Sequence, residues 1–139
     1  MLHYASMLGD IISLEYILDF AQKSNFSRFD IDIRDIHGNT PLSLACSHGF
    51  VEVVEFLIAS GARLDVKNEE KETLLHQAAK FGHAHIIDIL MHNHKNSFNI
   101  EDLNKSGCTA LMSACTCGHT EAALVLIDNV SFFLSLFFL

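Results

Sequence analysis

Apolar residues along this chain fall into short helical stripes separated by polar, glycine-marked turns. Val53, Val54, Leu57 and Ile58 lie at i, i+1, i+4 and i+5, which is one face of a helix. Ile86, Ile87, Leu90 and Met91 repeat that stripe, and Ala122, Ala123, Leu126 and Ile127 repeat it again. Ahead of the first stripe, Leu42, Leu44 and Ala45 give a shorter helix its packed side, with the alanine letting the second helix approach closely. The pattern predicts helix pairs.

The pairs recur at nearly fixed spacing, the mark of a repeat architecture. Gly38-Asn39-Thr40-Pro41-Leu42-Ser43-Leu44-Ala45 is followed by Gly49 and, after the stripe, by Gly61-Ala62. Thirty-three residues beyond Thr40 stands Thr73-Leu74-Leu75-His76-Gln77-Ala78-Ala79, with Gly82 at the same distance from Gly49. Thirty-six further on come Thr109-Ala110-Leu111-Met112-Ser113-Ala114 and Gly118. Forty residues before Leu42, Ala45 and Gly49 lie Leu2, Ala5 and Gly9, a truncated first copy opening at Met1. Each threonine is a good N-cap, its hydroxyl able to satisfy an orphan N–H of the first turn. Pro41 sits at the first helical position, where a missing N–H costs nothing. Gly49 can take the left-handed conformation that ends one helix and reverses the chain.

On these residues the chain resembles the ankyrin-repeat family over about residues 1–129. The resemblance implies an all-α repeat solenoid of about four helix–turn–helix units, each pair antiparallel, with projecting β-hairpin-like loops. Approximate repeats are 1–34, 35–67, 68–103 and 104–129, followed by an apolar C-terminal tail, 130–139. It also implies that His3 and His76, at the family's T-P-L-H histidine position, make structural hydrogen bonds between repeats. Three departures carry information. Lys71 holds the turn position of Gly38 and Gly107, so that loop tip is expected to be altered or strained. Spacings of forty and thirty-six place insertions near 21–30 and 93–100, after second helices, where loops tolerate length. Val130-Ser131 replaces the Gly61-Ala62 exit.

Composition narrows the function. With 139 residues, half of them apolar, the chain is one domain with a real core. Its formal net charge of −8, from 17 acidic against 9 basic residues, repels a phosphate backbone and argues against nucleic acid. Cys46, Cys108, Cys115 and Cys117 come without a secretory leader, which fits free thiols in a reducing cytoplasmic or nuclear setting. The tail V-S-F-F-L-S-L-F-F-L carries no charge, but Asp128 and Asn129 stop it short of the about 20 apolar residues a membrane span needs.

Candidate chemistry fails on spacing. Cys115-x-Cys117-x-His119 with Cys108 nearby offers zinc ligands, yet residues two apart on a helix do not share a face. Cys115 also occupies the packed position of Cys46 and Ala79. His83-x-His85 and His92-x-His94 have the same spacing of two. Asp30 and Asp32 alternate like the start of a calcium loop, whose glycine and closing acidic positions hold Asp35 and Pro41. Nucleophile-elbow, phosphate-loop, dinucleotide and zinc-protease signatures are missing, so neither an enzyme nor a cofactor is implied.

What remains is surface. The resemblance implies that a partner protein is held by loop tips and by the exposed ends of the first helices. On this chain those positions are Ile36, His37 and Asn39, then Glu69, Glu70 and Glu72, then Lys105, Ser106 and Cys108 at the tips. On the helices they are Met7 and Leu8, Ser47 and His48, Lys80 and Phe81, Thr116 and Cys117. Ile36 and Phe81 suggest an apolar anchor inside an acidic rim, suited to a partner with a basic patch. The alternative is a membrane-associated or assembly-dependent array that uses its apolar tail. Because Met1 falls on the position of Pro41 and the closing repeat is followed by four phenylalanines, the sequence also suggests a piece of a longer repeat protein.

Overall fold

The computed structural model describes residues 1–24 and 29–137; the side chains of Lys95 and of 131–137 lie outside that description. Among the described residues there are eight α-helices and no strand. Four pairs follow in order: α1 (Leu2–Leu8) with α2 (Ile11–Lys23), α3 (Pro41–His48) with α4 (Val51–Ala59), α5 (Leu74–Lys80) with α6 (Ala84–His94), and α7 (Ala110–Thr116) with α8 (Thr120–Phe137). The first helices stack α1 on α3 on α5 on α7, and the second helices form the adjoining layer. One continuous core runs between the layers, from Leu2 and Leu14 through Leu57 and Leu90 to Leu126.

The predicted caps are in place. Thr40, Thr73 and Thr109 accept from the backbone N–H of Ser43, His76 and Met112. Met1 gives α1 no side-chain cap, whereas Asp10 caps α2 through the N–H of Ser13. Its carboxyl lies below the ordinary carboxylate range because the Ser13 hydroxyl and N–H both donate to it. The helix-turn glycines Gly9, Gly49, Gly82 and Gly118 all have positive φ. Three of them also receive a ring from the next repeat: Phe50 lies against Gly9, His83 against Gly49 and His119 against Gly82.

Each interface between repeats carries one imidazole bond to a backbone carbonyl. His3 Nε2 donates to Asn39 O at 3.1 Å, His83 Nε2 to Ser47 O at 2.9 Å, and His76 Nε2 to Cys108 O at 2.9 Å. A carbonyl oxygen only accepts, so the hydrogen sits on Nε2 in each case. The expected inter-repeat role of His3 and His76 is therefore present, and His83 performs the same task from the second helix.

Several expectations need correction at the ends of the array. Cys46 and Ala79 are buried, and burial pushes the Cys46 thiol up, but Cys115 at the same position is exposed. Ile127 is likewise exposed where Met91 is buried, while Ile58 and Leu44 are only half-buried. Met7 is half-buried, leaving Leu8 as the exposed member of that pair. The insertions are taken up mainly as helix, since α2 has 13 residues and α6 has 11 plus a 3-10 turn at Lys95–Ser97, against 9 in α4. Residues 25–28 of the first insertion lie outside the described residues. The proposed boundary at 129/130 falls within α8, which continues to Phe137 where α4 has already stopped before Gly61. Among the described residues no helix is long and apolar enough to cross a membrane.

Lys71 has φ 57°, the left-handed region that favours glycine. The tip is strained but not altered, because the Lys71 N–H reaches Asn68 O at 2.9 Å just as the Gly38 N–H reaches Asp35 O at 3.0 Å. Lys71→Gly removes the Cβ conflict and is expected to raise stability by about 0.5–1 kcal/mol. Urea unfolding should show a higher midpoint at unchanged slope; an unchanged or lower midpoint would contradict the strain.

Candidate functional site

The loop tips are built by one side chain each. Asp35, Asn68 and Asn104 stand three residues before Gly38, Lys71 and Gly107, and each accepts two backbone N–H groups from its own turn. Burial opposes the charge on Asp35, yet hydrogen bonds from the Asn39 and His37 N–H groups hold its carboxyl below the ordinary range. The tips are also tied in series. The Glu69 N–H donates to His37 O at 3.0 Å, and the Lys105 N–H donates to Glu70 O at 2.9 Å. The projecting loops thus form a hydrogen-bonded row, which fixes the spacing of whatever they present.

That row presents Ile36, 91% exposed, with His37, Glu69, Glu70, Lys105 and Ser106 also exposed and Asn39 and Cys108 half-buried. The first helices present Leu8, His48, Phe81 and Cys117 at one shared repeat position, all exposed, with Lys80 and Thr116 beside them. Phe81 is 51% exposed, and the Lys80 ammonium lies 5.9 Å from its ring centroid. His48 stacks on Phe50 with centroids 6.3 Å apart. Its Nδ1 lies 2.9 Å from Leu44 O.

Two expected contact residues do not belong to this surface. Ser47 is buried, its hydroxyl donating back to Leu44 O at 2.9 Å and its carbonyl taken by His83. Glu72, at 8% exposure, is drawn inward. Its carboxylate accepts from Asn68 at 3.0 Å and from Gln77, and pairs with Lys80 at 3.1 Å. Sequence reasoning missed Asn68 and Gln77, although the recurrent Asp/Asn three residues before each turn was readable. Most exposed carboxylates lie elsewhere. Glu15, Asp19, Glu52, Glu55, Glu121 and Asp128 sit on the second helices, while Lys71 and Lys105 interrupt the acids at the tips. Cys115 and Cys117 are exposed free thiols, and among the described residues no three His, Cys, Asp or Glu side chains gather as metal ligands.

The family model described as ankyrin repeats (3 copies) matches residues 1–68 and 60–134. Among curated proteins, the chain is 30% identical over 91% of its length to a probable 26S proteasome regulatory subunit p28 of Saccharomyces cerevisiae, covering 53% of it. It is 31% identical over 92% of its length to the transient receptor potential cation channel subfamily A member 1 of Homo sapiens, covering 11% of it. A probable E3 ubiquitin-protein ligase XBOS32 of Oryza sativa is 36% identical over 66% of this chain and is covered over 18%. The chain thus spans about half the length of the first of these relatives and far less of the other two. Capped helix pairs, left-handed turn glycines, imidazole links and serial loop tips agree with the family match, and the chain belongs to the ankyrin-repeat family.

Proposed function

We propose that this array is a non-enzymatic protein-interaction module, gripping its partner with the loop tips and the exposed ends of the first helices. The observation that carries the reading is the exposure of Ile36 on a loop tip and of Phe81 at the end of a first helix. Both are large apolar side chains held in water on rigid, hydrogen-bonded supports, with charged neighbours around them. An apolar anchor inside a polar rim is the anatomy of a binding patch. The complementary partner offers an apolar pocket or side chain to each anchor and basic groups to Glu69 and Glu70, through the matching of charge that guides association. The exposed free thiols suit a reducing setting, cytoplasmic or nuclear.

Affinity capture from native extract, with Phe81→Ala and Ile36→Ala combined, tests the face. Both side chains are exposed, so the double variant should melt within about 0.5 kcal/mol of the parent. It should lose the proteins that the parent retains. An unchanged retained set would place the binding face elsewhere.

A further inference from the structure

A cleft of mixed chemistry opens on the second-helix layer, between α6 and α8. Its volume is about 530 Å³, and it is lined by Ala84, His85 and Asp88 on one wall and by Glu121, Leu124 and Val125 on the other. Both walls are supplied by adjacent repeats, whose second helices pack directly on each other. The sequence accounts for the room and for the lining. Ala84 stands at the repeat position of Ile11 and Val51, so a small side chain meets the cleft where α2 and α4 carry a branched one. Leu124 stands at the position held by the acids Glu15, Glu55 and Asp88, and it is 54% exposed. Glu121 lies three residues before Leu124 on the same helix face, and Asp88 stands on the opposite wall. The cleft thus joins an exposed apolar floor to a carboxylate on each side, a combination that marks a contact surface.

The charges in this cleft are not matched from within. Neither α6 nor α8 contains a lysine or an arginine. Asp88 is met by His92 Nδ1 at 3.0 Å, and among the described residues Glu121 has no ion-pair partner. We infer that the cleft docks an arginine-bearing segment of a partner protein, with the guanidinium between Asp88 and Glu121 and the apolar part over Leu124 and Val125. Charge complementarity selects a cation, and the apolar floor selects which cation. A guanidinium is weakly hydrated and presents donors along several edges, so it can meet carboxylates from two helices at once. Its aliphatic stem covers apolar surface on the way in. A lysine ammonium is compact and strongly hydrated, and gains less from such a floor. The inference goes beyond the loop-tip reading, because none of the six lining residues belongs to the tips or to the first helices.

Titration of the isotope-labelled full chain with an acetylated Arg-Leu-Arg tripeptide amide, to about 5 mM at low salt, tests it where weak contacts register. Amide shifts are expected to cluster at the residues lining the cleft and to shrink as salt is added. Asp88→Asn combined with Glu121→Gln should weaken binding about ten-fold or more, since both charge-assisted contacts are lost. Glu52→Gln with Glu55→Gln removes the same charge from α4 and should leave the affinity within about two-fold. Ala84→Val narrows the cleft without altering charge, with Val51 as the precedent for that residue, and should also weaken binding. The amide spectrum itself reports that each variant stays folded. A Lys-Leu-Lys peptide should bind more weakly, and a Ser-Leu-Ser peptide should cause no shift in the same range. Equal losses from the two double variants would overturn the inference, because the peptide would then be answering only the overall charge. Equal binding of Ser-Leu-Ser would overturn it in favour of an apolar segment, and equal binding of Lys-Leu-Lys would overturn the choice of guanidinium. Shifts confined to other surfaces, or no shifts, would overturn it outright.

Discussion

Gly49→Ala is expected to destabilise the array by about 2–4 kcal/mol, well beyond the ordinary cost of alanine at a turn. Gly49 has φ 81°, and a left-handed backbone alone charges an L-residue about 1–2 kcal/mol. The remainder comes from the neighbouring repeat. An added Cβ would lie 2.6 Å from the His83 ring, which is pinned by its bond to Ser47 O and cannot retreat without breaking that link. Gly118→Ala is the matched control, with φ 76° at the same repeat position but nothing within 4 Å of the new carbon. Chemical denaturation should show Gly49→Ala losing clearly more than Gly118→Ala. Equal losses would mean that the glycine serves the backbone only.

His76→Ala is expected to cost a similar amount, about 2–4 kcal/mol, because a buried ring serves two repeats at once. Its Nδ1 accepts from the Thr73 hydroxyl at 2.9 Å and from the Thr73 N–H, completing the cap of α5. Its Nε2 holds Cys108 O at the next loop. The substitution leaves a cavity, an orphaned N–H and an orphaned carbonyl. Ser43 shows how to separate the two roles, since its hydroxyl closes the same cap on Thr40 without reaching the next repeat. His76→Ser should therefore restore about 1 kcal/mol of the loss, the worth of a cap, and leave the inter-repeat part missing. If both variants unfold at the parent's midpoint, the ring is not structural.

These two sites also mark how far the sequence could be read. Thr40, Pro41 and the left-handed turn at Gly49 are set by their own helix, and local rules placed them correctly, although the press of His83 on Gly49 was not readable. Local rules also placed the stripes Val53–Leu57 and Ile86–Met91, whose period is a property of one helix. The misreadings arose where a residue's fate depends on a particular side-chain partner rather than on its place in the helix. Ser47 looked like a surface serine until His83 claimed its carbonyl, and Glu72 looked like a tip acid until Gln77 and Lys80 drew it in. Cys115 and Ile127 were assigned to the core by analogy with Cys46 and Met91, but burial at those positions belongs to the following repeat, not to the side chain. The candidate binding face was legible as a set of repeat positions, and its anchors Ile36 and Phe81 proved to be exposed. Which of its polar members point outward was not legible, because that is settled by side-chain hydrogen bonds, three to eight residues away for Glu72 and Ser47 and thirty-six for the His83 link, that no repeat pattern encodes.

The imidazole links have one more consequence, for how such a surface can change over generations. All three acceptors, at Asn39, Ser47 and Cys108, are main-chain carbonyls, which any residue supplies. The donors are inward-facing rings, while two of the acceptors, Asn39 and Cys108, sit in the loops that present the tips. Cohesion through these three links is therefore indifferent to the side chains at the acceptor positions. Substitutions at the exposed Ile36, Glu69 and Phe81 change the displayed surface while leaving all three links in place.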